Sequence, residues 1–217
     1  MNKTVVFMLL IVVLSFALSF YFYPQMPERM ATHWNVKGEP DGYMPKLWGV
    51  LIMPVISLGL IGLFLVLPKI DPLKRNYPAF KKYYNIIVLL VLGFLFYIHA
   101  ISIVLNLSFN LNITYLIMPA MGIIFLIIGY ILPHCKRNWF IGIRTPWTLS
   151  SDRVWKKTHK IGGKLFVIYA IFIFLALFAY EFVIEYFFWL VIGPLMTLAV
   201  SLFIYSYIEY TKEEVRK

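Results

Sequence analysis

Six apolar runs alternate with polar connections along the chain, at about residues 4–23, 47–67, 85–105, 113–132, 161–180 and 186–208. Each is about 20 residues long, enough for a helix to cross a hydrocarbon core of about 30 Å. The pattern predicts an all-α polytopic membrane protein with six transmembrane helices. Residues 1–217 are read as one membrane domain, with a first helical hairpin over 1–68 and a four-helix region over 69–217. The first run is long for a signal peptide and lacks a small-residue cleavage site, so it is expected to be retained. Runs two, four and six each carry a proline near their start, at Pro54, Pro119 and Pro194, within the similar strings LIMP, LIMP and VIGP. Three related helical hairpins would explain that match. Proline tolerated near membrane-helix starts would explain it equally. Gly59, Gly62, Gly122 and Gly129 are expected to let helices pack closely.

Composition supports the membrane assignment. Of 217 residues, 61% are hydrophobic and 14% charged, against about 25% charged in soluble domains. The single cysteine, Cys135, rules out an internal disulfide. The net charge of +10 is a topology signal rather than a nucleic-acid signal. Six spans place both termini on one side. Only Arg29, Lys37 and Lys46 fall on the other side; the rest of the 20 Lys and Arg share the side of the termini. The positive-inside rule therefore predicts a cell-membrane protein with cytoplasmic termini and an external loop around residues 24–46.

The longest polar stretch of the second half is NWFIGIRTPWTLSSDRVWKKTHKIGGK, from Asn138 to Lys164. Pro146 disfavours a helical conformation at Thr145. Ser150 or Ser151 can cap a new helix, with Asp152 at its positive end. At 100° per residue, Arg153, Lys156, Lys157, Lys160 and Lys164 fall within roughly 100° of arc. Val154, Trp155, Thr158, Ile161 and Leu165 share another face. A basic face backed by an apolar one suits a membrane surface or an acidic partner. It equally suits a solvated face that only sets topology.

The external loop contains the turn signals Glu39-Pro40 and Asp41-Gly42. His33, Trp34, Asn35 and Asp41 can converge on a ligand or peptide there, or serve the loop's own hydrogen bonds. His99 lies within the third run, and an ionisable group at membrane depth is a functional candidate; a neutral histidine bonded to a neighbouring helix is the plainer alternative. Among His134, Cys135 and His159 a fourth metal ligand is not evident. Glu181 and Glu185, in the turn between runs five and six, are read as hydrated. The triplets 106–108 and 112–114 match the glycosylation pattern, but they lie against the membrane. No phosphate-binding loop or Ser-His-Asp order is present, and neither a metal nor a cofactor is expected.

Two stretches resemble a known family. Asn138, the run from Gly142 to Thr148 (GIRTPWT), then Trp155, Thr158-His159 and Gly162-Gly163, resemble the signature of the SdpI family. Tyr23-Pro24, Pro27, Thr32-His33-Trp34-Asn35, Gly38, the run Pro40 to Tyr43 and Lys46 resemble a domain of unknown function that commonly precedes that signature. The resemblance implies a bacterial or archaeal multi-pass protein acting by binding, not as an enzyme. It implies immunity to a secreted, membrane-active toxin peptide. It also implies a receptor that holds a cytoplasmic transcriptional repressor at the bilayer, with no direct contact to nucleic acid. His33, Trp34, Asn35 and Asp41 would then form an outer surface; Asn138, Arg144, Thr145, Trp147, Trp155 and His159 a cytoplasmic one. The alternative is a small transporter with His99 and the even-helix prolines along a path. A membrane enzyme using His33 and Asp41 as acid–base partners is a third reading.

Overall fold

The computed structural model describes residues 3–107 and 111–215. Ser108, within the first glycosylation-type triplet, and the terminal Arg216 and Lys217 lie outside the described residues. The element order is α1 (Lys3–Phe22), β1 (Arg29–Trp34), β2 (Pro40–Pro45), α2 (Lys46–Ile70), α3 (Tyr77–Asn106), α4 (Ile113–Ile131), α5 (Pro146–Ser150), α6 (Asp152–Phe178) and α7 (Phe187–Glu214). Six of these helices are long and apolar enough to cross a membrane, and they coincide with the six predicted runs.

The differences lie at the ends. α3 begins at Tyr77 rather than near residue 85. Tyr77, Phe80 and Tyr84 share one buried helical face, while Lys81 and Lys82 stay exposed beside them. Phe80 has non-helical dihedrals (φ −130°, ψ 16°) and marks a kink. α7 runs on to Glu214 and so absorbs most of the expected charged tail.

The chain forms two compact units, residues 1–65 with 87–120, and residues 66–86 with 121–217. The first unit holds α1, the β-hairpin and parts of α2, α3 and α4. β1 and β2 pair antiparallel, with Arg29 opposite Pro45 and Trp34 opposite Pro40. The turn falls at residues 35–39, earlier than the Asp41-Gly42 signal suggests. Asn35 is the reason: its side-chain oxygen accepts from the amides of Lys37 and Glu39, and Gly38 supplies the required positive φ of 81°. Asp41 and Gly42 are instead strand residues. Met30 is fully buried and anchors the hairpin in a cluster with Met26, Val50 and Ile103. Asn106 clamps the backbone of β1: its Oδ1 accepts from the Ala31 amide at 2.8 Å, and its Nδ2 donates to the Ala31 carbonyl at 2.9 Å.

The second unit is built on α6. Val154, Trp155, Thr158, His159, Gly162 and Gly163 are buried along one face. Of the predicted apolar face, Ile161 and Leu165 are half-buried; of the predicted basic face, Lys156, Lys160 and Lys164 are exposed while Arg153 and Lys157 are half-buried. Gly129 of α4 and Gly163 of α6 face each other so closely that a Cβ on either would meet the other's carbonyl oxygen at 2.7–2.8 Å. Gly122 lies against the Phe174 ring. The packing expectation fails for Gly59 and Gly62: a Cβ there would meet nothing within 4 Å. Those two glycines of α2 face open space, where a small residue brings no backbone closer.

Outward-facing apolar side chains cover the helices. Phe178 is 84% and Phe182 88% exposed, an arrangement that suits hydrocarbon and not water. With Tyr186 and Trp189 they place an aromatic cluster at the α6–α7 turn, as expected for a membrane–water boundary.

Candidate functional sites

The signature stretch folds into a knot of internal hydrogen bonds. Asn138 is completely buried. Its Oδ1 accepts from the amides of Phe140 and Ile141, and its Nδ2 donates to the carbonyls of Lys136 and Ile141, all within 2.7–2.9 Å. The side chain is therefore saturated. Thr145 is extended, as the following proline dictates, and forms a capping box with Thr148 at the start of α5. This short helix was not foreseen, because the stretch has too few residues to show a period. Thr145 Oγ1 also pairs with Ser206 Oγ of α7 at 2.9 Å. Ser151, not Ser150, caps α6 by accepting from the Val154 amide.

Trp155 and His159 complete the knot. Trp155 is 3% exposed and its Nε1–H donates to the Cys135 carbonyl at 2.9 Å. The His159 ring stacks on it, with centroids 4.0 Å apart. His159 Nδ1 donates to the Trp155 carbonyl at 2.8 Å, and Nε2 accepts from the Ile143 amide at 3.0 Å. Both nitrogens are used, so the imidazole is neutral with its proton on Nδ1. Gly142 has φ 117°, and a Cβ there would collide with His159 Nε2. The glycine is thus required twice, for its dihedral and for the approach of the imidazole.

Two signature side chains remain outward. Arg144 is exposed and donates to the Trp139 carbonyl at 2.7 Å. Trp147 is half-buried against Phe203 and Tyr207 of α7. Several supporting residues escaped the sequence reading. Asp71 is buried and accepts from the amides of Leu73 and Trp139. Its local turn with Leu73 follows an Asp-Pro signal; the Trp139 partner is distant in sequence and leaves no local trace. Glu209 of α7 is buried and paired with Lys157, with Lys212 at 3.7 Å. Lys157 is therefore committed, whereas Lys156, Lys160 and Lys164 are exposed.

Cys135 is buried beside this knot, and burial pushes its thiol up to about 12. His134 donates to the Tyr130 carbonyl and stacks on Tyr83 at 4.5 Å. With His159 occupied as well, the three side chains do not converge. Among the described residues no group of three or more His, Cys, Asp and Glu is placed to hold a metal ion.

The hairpin arranges its residues differently. His33 Nδ1 and Asp41 Oδ1 are in direct hydrogen-bond contact on adjacent strands, with side chains 73% and 45% exposed. Asn35 is occupied in the turn, where its Nδ2 also donates to Glu39. Trp34 is half-buried. His99 of α3 is 1% exposed. Its Nε2 lies 2.9 Å from Ser19 Oγ, which itself lies 2.6 Å from the Val50 carbonyl. The short Ser19–Val50 distance requires the hydroxyl proton, so His99 Nε2 is the donor to Ser19. Its buried Nδ1 has no partner among the described residues.

A polytopic helical membrane protein is the class defined by these spans, with one polar knot in its second unit and an exposed hairpin in its first. Comparison with known proteins adds what the chain is similar to. Residues 134–206 match the SdpI/YfhL protein family. Residues 10–58 match a domain of unknown function, DUF1648. The chain is 29% identical over 168 residues to "Immunity protein SdpI" of Bacillus subtilis (strain 168), covering 77% of this chain and 78% of that protein. It is 40% identical over 47 residues to "Uncharacterized membrane protein YbgB" of the same organism, covering 22% of this chain and 52% of that one. No solved structure matches the chain.

Proposed function

We propose that this protein is an immunity-type membrane protein that counters a secreted, membrane-active toxin peptide by binding rather than catalysis. The observation that carries the reading is the likeness to an immunity protein over 77% of the chain. The charge bias supports cytoplasmic termini and a hairpin outside, where a peptide arrives. His33 and Asp41 are the contact pair on that hairpin, with Trp34 beside them. The exposed cations Lys160 and Lys164 of α6, together with Arg144 and the half-buried Arg153, form the cytoplasmic surface for an acidic regulator such as a transcriptional repressor.

Survival of a sensitive strain challenged with a membrane-active toxin peptide tests this, with membrane potential read alongside growth. The parent chain should protect, His33→Ala with Asp41→Ala should not, and all forms should reach the membrane in equal amount. Protection that survives the double substitution removes the hairpin from the mechanism. A well-expressed parent that fails to protect rejects defence against that toxin. A cysteine-accessibility map finding the C-terminus outside would overturn the orientation.

One observation favours a second reading, a small transporter: the unpartnered Nδ1 of His99 at membrane depth. Solute flux into proteoliposomes that is lost on His99→Ala would support it.

A further inference from the structure

We infer that the second unit contains a binding site for a phosphate group, filled by the headgroup of an anionic phospholipid. Independently of the toxin reading, the start of α3, the turn after α4 and the start of α6 enclose a pocket of about 620 Å³. That volume lies in the range of about 300–1,000 Å³ usual for small-ligand sites. Arg75, Lys136, Arg137 and Lys156 line it, with Asp152 as the one carboxylate. Asp152 is already paired with Arg137 at 2.9 Å, and Arg137 donates as well to the Leu149 carbonyl. Arg75, Lys136 and Lys156 are exposed and have no ion-pair partner among the described residues. Three uncompensated cations from three separate segments thus converge on one concavity.

Beside Asn76, His134 and Cys135, the wall has an apolar and aromatic part made by Ala79, Tyr83, Pro133 and Trp155, with the Tyr83 ring held in place by its stack on His134. Trp155 is rigid because its ring is locked by His159 and the Cys135 carbonyl. Cations alone would suit any phosphate; cations beside an apolar wall, at helix ends where hydrocarbon gives way to water, suit an amphiphile. Arg75 can grip phosphate oxygens in a fork, and the two lysines act as point charges. The predicted cytoplasmic side is also where basic clusters meet anionic lipid.

The full chain in nanodiscs tests this. Dioleoyl-phosphatidylglycerol is the probe in a dioleoyl-phosphatidylcholine background, and retained lipid is read by native mass spectrometry. A second arm titrates the detergent-solubilised chain with glycerol 3-phosphate. The variants are R75Q/K136Q/K156Q and, for equal charge removed elsewhere, K69Q/K160Q/K164Q, each checked for an unchanged unfolding midpoint. A cation near an anionic lipid surface contributes a factor of about five, so the pocket variant should lose phosphatidylglycerol preference about tenfold or more. The control should lose far less. Equal losses in both variants would show diffuse surface charge and overturn the site, as would a parent with no preference. Saturable glycerol 3-phosphate binding without lipid preference would overturn the lipid as source and assign the pocket to a soluble phosphate compound.

Discussion

The signature knot and the β-hairpin are built from the same residue types and use them in opposite ways. In the knot, Asn138, Thr145, Thr148, Trp155 and His159 are buried, and their polar atoms are spent on one another, on backbone or, for Thr145, on Ser206 of α7. On the hairpin, His33 and Asp41 pair with each other and remain open to solvent. A motif dense in His, Trp and Asn is therefore not by itself a contact surface. The physical difference lies in who satisfies the backbone. The hairpin strands pair with each other, with Asn106 holding the outer side of Ala31. The 138–148 stretch has no ladder, so side chains must supply the partners that its buried amides and carbonyls need.

The contrast can be broken at several points. The largest effect is expected at Gly142→Ala, where a strained φ and a collision with His159 should together cost about 3 kcal/mol or more. A thermal-unfolding series in detergent measures it, and a near-neutral result would show that the loop relaxes and that the knot is loose. His159→Ala removes the acceptor for the Ile143 amide and the partner ring of Trp155, at about 2–4 kcal/mol. Asn138→Ala, which strips four hydrogen bonds from backbone groups, should cost about 2–3 kcal/mol in the same assay.

Cys135 sharpens the comparison without a substitution. Its thiol is buried and held near 12, so the thiolate is scarce at neutral pH. Maleimide should leave the folded chain unlabelled and react once denaturant is added; prompt labelling of the folded chain would mean that the knot opens readily. The smallest effects belong to the exposed groups. A double-mutant cycle on His33 and Asp41 should give a coupling below about 1 kcal/mol in stability, and Arg144→Ala should stay within about 0.5 kcal/mol. Loss of protection from those substitutions would then report on binding rather than folding.

The legible features share a simple property: they depend on residues close together in the chain. The six spans follow from run length, α6 from a 3.6-residue period, the extended Thr145 from Pro146, and a cap from the Ser150-Ser151 pair, of which the structure uses Ser151. The hairpin was foreseen only as a folded loop. β1 alternates poorly in burial, whereas β2 alternates from Asp41 to Pro45. The turn signals in the letters are Glu39-Pro40 and Asp41-Gly42, because Asn35 announces itself only through bonds already formed. The glycines show the same limit. Gly59 and Gly122 are indistinguishable as letters in apolar runs, yet one faces open space and the other a phenylalanine ring.

Sequence by itself therefore determined that this is a six-span membrane protein with two polar motifs, because hydrocarbon sorts residues by transfer energy, one run at a time. Tertiary structure alone decided what those motifs are. It buried Asn138 and His159 as internal fasteners and left His33 with Asp41 open to solvent. It also brought Arg75, Lys136 and Lys156 around one pocket, since such convergence depends on packing between segments far apart in the chain.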